Sequence, residues 1–469
     1  MSQNGPLKIL LLAAEVVPFA KTGGLADVAG ALPRALRALG HDIRVAMPRY
    51  SRIRPDRFAM VDVVPDFEVP MNHTTETARL TEASLTTPGG SPSVPVYMVE
   101  SARYFEREGL YMYPDDAERF IFYGRAVLEA LKHLDWQPDV IHCHDWHTAL
   151  VPNWLKTIYQ DDPFFEKTVT VYTIHNLAFQ GIFGYRVLEI AGIDEWGFQY
   201  HDGLTDLNEV VDMMARGIYY ADLVSTVSET YAREILTPEY GEQLDPLLRD
   251  RRDRLFGILN GIDYETATPA TDASIPFNFD STTLEQRVKN KRALQQEASL
   301  SENPDTPLIG IISRLNDAKG FDILGETIEH ILDLGVQFVL MGTGEQRYHD
   351  LFSRVVERYP GQAAAFFTFN STLASHIYAG SDMYLMPSRV EPCGTNQMIA
   401  MRYGSVPIVR ATGGLADTVQ DVNSTSPQGN GFVFQAYDRW MLFAAICRAV
   451  ETYRHGAVWR QIQVRGMQA

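Results

Sequence analysis

Several short stretches of this 469-residue chain combine residue types at spacings that suit chemistry. KTGGLADVAG at 21–30 sets Lys21 just ahead of Gly23 and Gly24. A glycine pair that opens a helix presents backbone N–H groups at the positive end of the helix dipole. A lysine adds a point charge, so the combination suits a phosphate. The same letters also describe an ordinary glycine-opened helix. SRLNDAKGFD at 313–322 places Arg314 and Lys319 on one loop, a fork and a point charge suited to a diphosphate. PSRVEPCGTNQM at 387–398 carries Glu391, an acceptor for sugar or ribose hydroxyls. Gly394 and Thr395 follow it, and their amides open the next helix. Cys393 has no histidine base paired with it and is not read as a nucleophile.

YTIHNLAFQG at 172–181 ends an apolar run with His175, either a site residue or a satisfied buried ring. HCHDWHTALVPNW at 142–154 sets Asp145 after His142 and His144, where it could cap a helix or line a site. No acidic or Cys partner follows at ligand spacing, so no metal is expected. Gly342 and Gly344 in LMGTGEQ are a weak pointer to a nucleotide, since both the dinucleotide fingerprint and the Walker A loop are missing. Finally, TGGLAD occurs twice, at 22–27 and at 412–417, so Thr412, Gly413 and Gly414 repeat the grammar of the first site without its lysine. They either offer amides to a donor or merely pack a helix.

The elements that must position these residues are apolar runs alternating with helical stretches. KILLLAA, DIRVAMP, PDVIHCHD, TVTVYTIHN and ADLVSTVS precede residue 230, and LIGIISR, QFVLMGTG, AAAFFTF, MYLMPSR, VPIVRAT and GFVFQ follow residue 307. This rhythm predicts α/β architecture with doubly wound parallel sheets. GLADVAGALPRALRALG reads as a helix that Pro33 bends or interrupts. The stretch 260–283 is rich in Pro, Thr, Asn and Asp and reads as an inter-domain connection. Two halves of this kind place their ligands at strand C-terminal ends, with the cleft between them as the default site.

Formal net charge is −18, which argues against nucleic acid or an anionic membrane as partner. Three scattered cysteines, Cys143, Cys393 and Cys447, form no disulfide framework, and a reducing cytosol is the simplest compartment. The N-terminal apolar run is cut by Glu15 and reads as a buried strand, not a signal peptide, and no run is long enough to span a membrane.

KTGGLADV, HDWHTA, TIHNLAFQG, GILNGID at 257–263, SRL-x₃-KG, EPCG and TGGLADTV stand in an order that resembles bacterial glycogen synthases and plant starch synthases, from about Lys8 to Met467. The resemblance implies the GT-B architecture, two Rossmann-like domains facing a central cleft. It implies domains at 1–256 (acceptor side) and 257–455 (nucleotide-sugar side), with 456–469 beginning a crossover segment that is apparently truncated. The implied reaction moves glucose from ADP-glucose to the non-reducing-end 4-hydroxyl of an α-1,4-glucan (glycogen, starch or a malto-oligosaccharide), with retention and without a cofactor. By motif position, Lys21, Arg314 and Lys319 hold the diphosphate, Glu391 and the Gly394 and Thr395 amides contact the donor sugar, and His175 lies beside the anomeric centre. Glu15, Asp27, Asp145 and Asn260 line the donor and acceptor sites on the acceptor side, and Phe369 falls where an aromatic stacks on adenine. Relatives often read EPCGLTQ where this chain reads EPCGTNQ. The implied compartment is the cytoplasm, with glucan granules as an association, or a plastid for a plant or algal chain. Two rival readings are another GT-B transferase with a UDP-glucose donor or a small acceptor, and a granule-bound, glucan-binding protein.

Overall fold

The apolar runs become buried strands. The computed structural model describes residues 5–72, 74–86, 93–196, 210–423 and 428–469. The chain divides into two units, Met1–Val227 with Ala232–Ile258, and Ser228–Tyr231 with Leu259–Ala469.

The first unit holds β1 (Lys8–Leu12), β2 (Asp42–Pro48), β3 (Val61–Met71), β4 (Thr74–Leu85), β5 (Val94–Glu100), β6 (Val140–His144), β7 (Val169–Ile174), β8 (Ile182–Gly184), β9 (Val210–Asp212), β10 (Leu223–Thr226) and β11 (Leu255–Gly257). Nine of these form one sheet in the order β11-β10-β7-β6-β1-β2-β5-β4-β3, while β8 and β9 pair separately. From β5 to β11 the sheet is parallel, as its near-continuous apolar strands require when both faces are covered. The expectation of a wholly parallel sheet fails at one edge, where β4 runs antiparallel to both β5 and β3. These two strands alternate polar with apolar residues, and β3 contains Pro65 and Pro70, which an edge strand tolerates because one side of its ladder is unpaired.

The second unit holds β12 (Leu308–Ile312), β13 (Gln337–Met341), β14 (Ala363–Phe366), β15 (Met383–Met386), β16 (Val406–Arg410) and β17 (Phe432–Phe434). They form a parallel sheet in the order β14-β13-β12-β15-β16-β17. Counted within the unit this is 3-2-1-4-5-6, the Rossmann order, whose direction reverses between β12 and β15. In the first unit the same reversal falls between β1 and β6. Side chains from the strands and covering helices form two layers of core, one around Ile311, Phe338 and Leu385 and the other around Leu308, Val339 and Tyr384.

Two local expectations are corrected. The helix Gly24–Ala38 runs through Pro33 without a break. Its face of Leu25, Ala26, Ala29 and Pro33 is buried, and that packing outweighs the lost backbone hydrogen bond. The stretch 260–283, expected as an inter-domain connection, is irregular as its composition suggests but lies within the second unit, with Ile275 and Phe279 buried in that unit's core. The terminal helix Gly456–Gln468 buries Trp459, Ile462 and Met467 in the same unit.

Candidate active site

Nearly every chemically suited residue stands just past the C-terminal end of a strand. In the second unit, Arg314 follows β12 by two residues and is exposed, with no ion pair or hydrogen-bonding partner among the described residues. The next turn is capped by Asn316, whose side chain accepts from the Lys319 N–H at 3.1 Å. The loops after β12 and β15 are tied by the Arg389 N–H donating to the Ala318 carbonyl at 2.9 Å. This brings Lys319 Nζ to 2.6 Å from Glu391 Oε2, to which Ser388 Oγ also donates at 3.0 Å. Glu391 is only 7% exposed, and a carboxylate so buried requires such partners.

The EPCG backbone is held from several sides. Gln397 Nε2 donates to the carbonyls of Cys393 and Gly394 at 3.1 and 2.9 Å. Asn396, one of the departures from EPCGLTQ, ties the loop to β12 by donating from Nδ2 to the Ile312 carbonyl at 3.1 Å. Cys393 shares hydrogen bonds with the backbone and side chain of Asn260, so Asn260, read as an acceptor-side residue, sits beside Glu391's loop in the second unit. Burial pushes the Cys393 thiol up to about 12, which leaves no thiolate for nucleophilic attack. The amides of Gly394 and Thr395, at the start of the helix Asn396–Arg402, meet no acceptor among the described residues.

Two amides of the second TGGLAD are taken within the chain. The Thr412 N–H donates to the Arg410 carbonyl at 3.0 Å, and the Gly414 N–H donates to the Pro392 carbonyl at 3.1 Å. Gly413 has φ +43°, and a Cβ on it would lie 2.0 Å from the Glu391 carbonyl oxygen. A Cβ on Gly414 would lie 2.1 Å from that of Cys393. Thr412, Gly413 and Gly414 therefore brace the backbone that carries Glu391. Gly342 and Gly344 play a similar part after β13, where a Cβ would meet the carbonyl oxygens of Ser313 and Leu315 at 1.8 and 2.3 Å. Their Gly-x-Gly spacing reflects two loops in close approach. Phe369, past the end of β14, is 76% exposed.

In the first unit, Glu15 is buried just past β1 and turns its carboxylate onto the first TGGLAD. It accepts from the N–H groups of Thr22 and Gly23, from Thr22 Oγ1 at 3.0 Å, and from the Tyr111 hydroxyl at 3.2 Å. The Gly23 amide, read as a phosphate donor, is thus committed to Glu15. Gly24 begins the helix with open space around it. Lys21 is not a lone charge either, since its Nζ lies 2.6 Å from Asp27 Oδ1 in an exposed pair.

Asp145 and the histidines fill the ends of β6 and β7. Asp145 has φ +54° and makes no cap with its side chain; Oδ1 accepts from the His175 N–H at 2.8 Å instead. Burial raises its carboxyl to about 7, against the pull of N–H groups from His175 and Asn176. His142 and His144, two apart on β6, lie on one face with ring centroids 4.2 Å apart. His142 Nε2 meets Thr173 Oγ1 at 2.6 Å, and His144 Nδ1 meets His175 Nε2 at 2.8 Å. Among the described residues no group of three His, Cys, Asp or Glu side chains could hold a metal ion. Ser388, Gln397, Tyr111 and His144 belong to these arrangements and were not singled out as site residues; only His144 carried a signal, its i, i+2 spacing from His142.

Burial lowers His142 to about 4 and His147 and His175 to about 3, and drives His144 well below its ordinary value. The unfolded chain binds protons on these rings below about pH 6.5 and the folded chain does not, so their contribution to stability is lost as pH falls from about 6.5 towards 4. Asp145 and Asp212, both raised to about 7 by burial, act in the opposite sense between about pH 4 and 7. The four histidines outnumber the two aspartates. Urea midpoints are therefore expected to fall on acidification across this window, and His142→Gln should flatten the slope by up to one proton, about 1.4 kcal/mol per pH unit. Midpoints that do not change between pH 6.5 and 4.5 would contradict this.

Two Rossmann-type sheets, each gathering polar side chains where its strand order reverses, define the class of GT-B glycosyltransferases. Residues 8–250 match the family model described as starch synthase catalytic domain, and residues 294–461 match that of glycosyl transferases group 1. The chain is 49% identical over 467 residues to a glycogen synthase of Moorella thermoacetica, covering 99% of this chain and 94% of that relative. It is 48% identical over 458 residues to one of Desulforudis audaxviator, covering 96% and 90%. The solved catalytic domain of starch synthase IV from Arabidopsis thaliana, bound to ADP and acarbose, superposes with a TM-score of 0.91 at 32% identity, covering 99% of this chain and 96% of that one. The chain belongs to the glycogen synthase and starch synthase family. Among the described residues no helix is long and apolar enough to cross a membrane.

Proposed function

We propose that this protein elongates an α-1,4-glucan, transferring glucose from ADP-glucose to the 4-hydroxyl at the non-reducing end with retention of configuration. The observation that carries the reading is the Lys319–Glu391 pair at 2.6 Å, together with Arg314, which has no partner among the described residues, on loops leaving the neighbouring strands β12 and β15. Cleavage of the glycosyl–phosphate bond leaves negative charge on ADP, and fixed cations stabilise that charge as it develops. Arg314 and Lys319 supply it, Glu391 and the Gly394 and Thr395 amides take the sugar hydroxyls, and Phe369 stacks on adenine. His175, kept uncharged by burial, offers a neutral hydrogen bond beside the anomeric centre. Glu15, Asp27 and Asp145 serve the acceptor side, Lys21 is a further cation for the diphosphate, and no metal or cofactor is needed.

In this reading residues 1–256 serve the acceptor and 257–455 the nucleotide sugar. The free thiols of Cys143, Cys393 and Cys447 support a reducing cytoplasm. Incubation with radiolabelled ADP-glucose and glycogen is expected to give labelled polymer that an α-1,4-specific exo-glucanase digests. No incorporation overturns the reading, and equal incorporation from UDP-glucose overturns the donor assignment.

A further inference from the structure

The neighbouring strands β6 and β7 end in His144 and His175, whose rings meet nitrogen to nitrogen at 2.8 Å. One proton lies between His144 Nδ1 and His175 Nε2, and the chain decides which ring owns it. We propose that His144 owns it: His144 is a positioning residue that donates from Nδ1 and so holds His175 in the Nδ1–H tautomer, with an N–H directed at the donor sugar. This deepens the reading given above and rests on it for the identity of the sugar.

The argument turns on His144 Nε2, which is buried and meets no partner among the described residues. If His175 donated from Nε2, His144 would carry its own proton on Nε2, a buried N–H without an acceptor. Among buried backbone groups an orphaned N–H is rarer than an under-satisfied acceptor, and the rings are read by the same rule. If His144 donates from Nδ1, its Nε2 is a bare lone pair and no donor is stranded. Neither ring escapes the choice by taking a second proton, since burial keeps both uncharged near neutral pH. His175 Nδ1 has no partner among the described residues, so the tautomer leaves it free to donate.

The surroundings hold both rings to this geometry. The His144 ring lies against His142, which is fixed through Thr173 Oγ1 to Ser225 Oγ at 2.7 Å. The His144 carbonyl accepts from Thr148 Oγ1 at 2.9 Å, and the His175 backbone N–H is held by Asp145. A ring anchored on two sides and handed one tautomer is a preorganised donor. That matters because misplacement of a site group by about 1 Å can cost roughly 10²-fold in rate.

The test has a spectroscopic and a kinetic part. Nitrogen-15 NMR of the full chain labelled on histidine, with His175 assigned by comparison with His175→Asn, is expected to show His175 protonated on Nδ1. Protonation on Nε2 overturns the proposal, and this readout needs neither turnover nor a His144 variant. For the kinetic part, His144→Leu removes the donor and should lower kcat by roughly 10²-fold with little change in KM for ADP-glucose. His144→Asn, whose amide N–H falls near the place of Nδ1, should recover most of the loss. A His144→Leu enzyme with wild-type kcat, or equal losses in the Leu and Asn variants, counts against the proposal even if the wild-type protein elongates glucan. A wild-type protein inert towards ADP-glucose sinks the functional reading instead and leaves the tautomer to NMR.

Discussion

Arg314→Ala is expected to lower kcat with ADP-glucose by roughly 10²–10³-fold, the usual loss for one group stabilising developing negative charge, and to leave the melting temperature unchanged. Arg314 is exposed and has no ion-pair or hydrogen-bonding partner among the described residues, so its removal strands none of them. Lys319→Ala should show the same kinetic loss together with a lower melting temperature. It deprives the buried Glu391 of its cation, leaving Ser388 Oγ as its side-chain donor among the described residues. An imperfectly satisfied buried acceptor costs about 1–3 kcal/mol. The pair of variants thus separates two duties of positive charge on one loop. Steady-state kinetics and thermal melts on both proteins decide the matter: an Arg314→Ala enzyme within tenfold of wild type would falsify the assignment of its charge to the leaving group.

Glu391→Ala should cost a similar 10²–10³-fold in kcat, for a different reason. The carboxylate accepts from Lys319 and Ser388 on one oxygen, Oε2, and no hydrogen bond from the chain is described on Oε1. In the proposed reaction that oxygen takes a sugar hydroxyl. Glu391→Gln keeps the shape but loses the charge that Lys319 pairs with, and should fall between Ala and wild type. The kcat values of the two variants, with circular dichroism to confirm native folding, are the check. A Gln variant at wild-type kcat would show that the negative charge is dispensable.

Much of this arrangement was legible in the chain. Strands buried on both faces, such as LIGII and QFVLM, announce themselves as apolar runs, and the charged residues beyond their ends follow from where such sheets bind ligands. β3 and β4 were not legible, because a half-exposed antiparallel edge alternates its residue types and β3 carries two prolines. At the site, side-chain identity was readable but commitment was not. Nothing in KTGG says that Glu15 already occupies the Gly23 amide, nor in ATGG that the Gly414 amide belongs to Pro392. His144 carried a visible motif, yet its role depends on a ring 31 residues away that only the pairing of β6 with β7 brings near.

The bracing of Glu391 by the second glycine pair bears on how this enzyme could be redesigned. Residues 413 and 414 set a clearance: each sits about 2 Å from a carbonyl oxygen at the position a side chain would take. Thr395 makes no side-chain hydrogen bond among the described residues, whereas Asn396 ties the loop to β12 through the Ile312 carbonyl. A mutant library aimed at a new nucleotide sugar should therefore diversify 395, keep Asn396, and hold 413 and 414 as glycine. Altered donor preference would then be sought without shifting the backbone that carries Glu391.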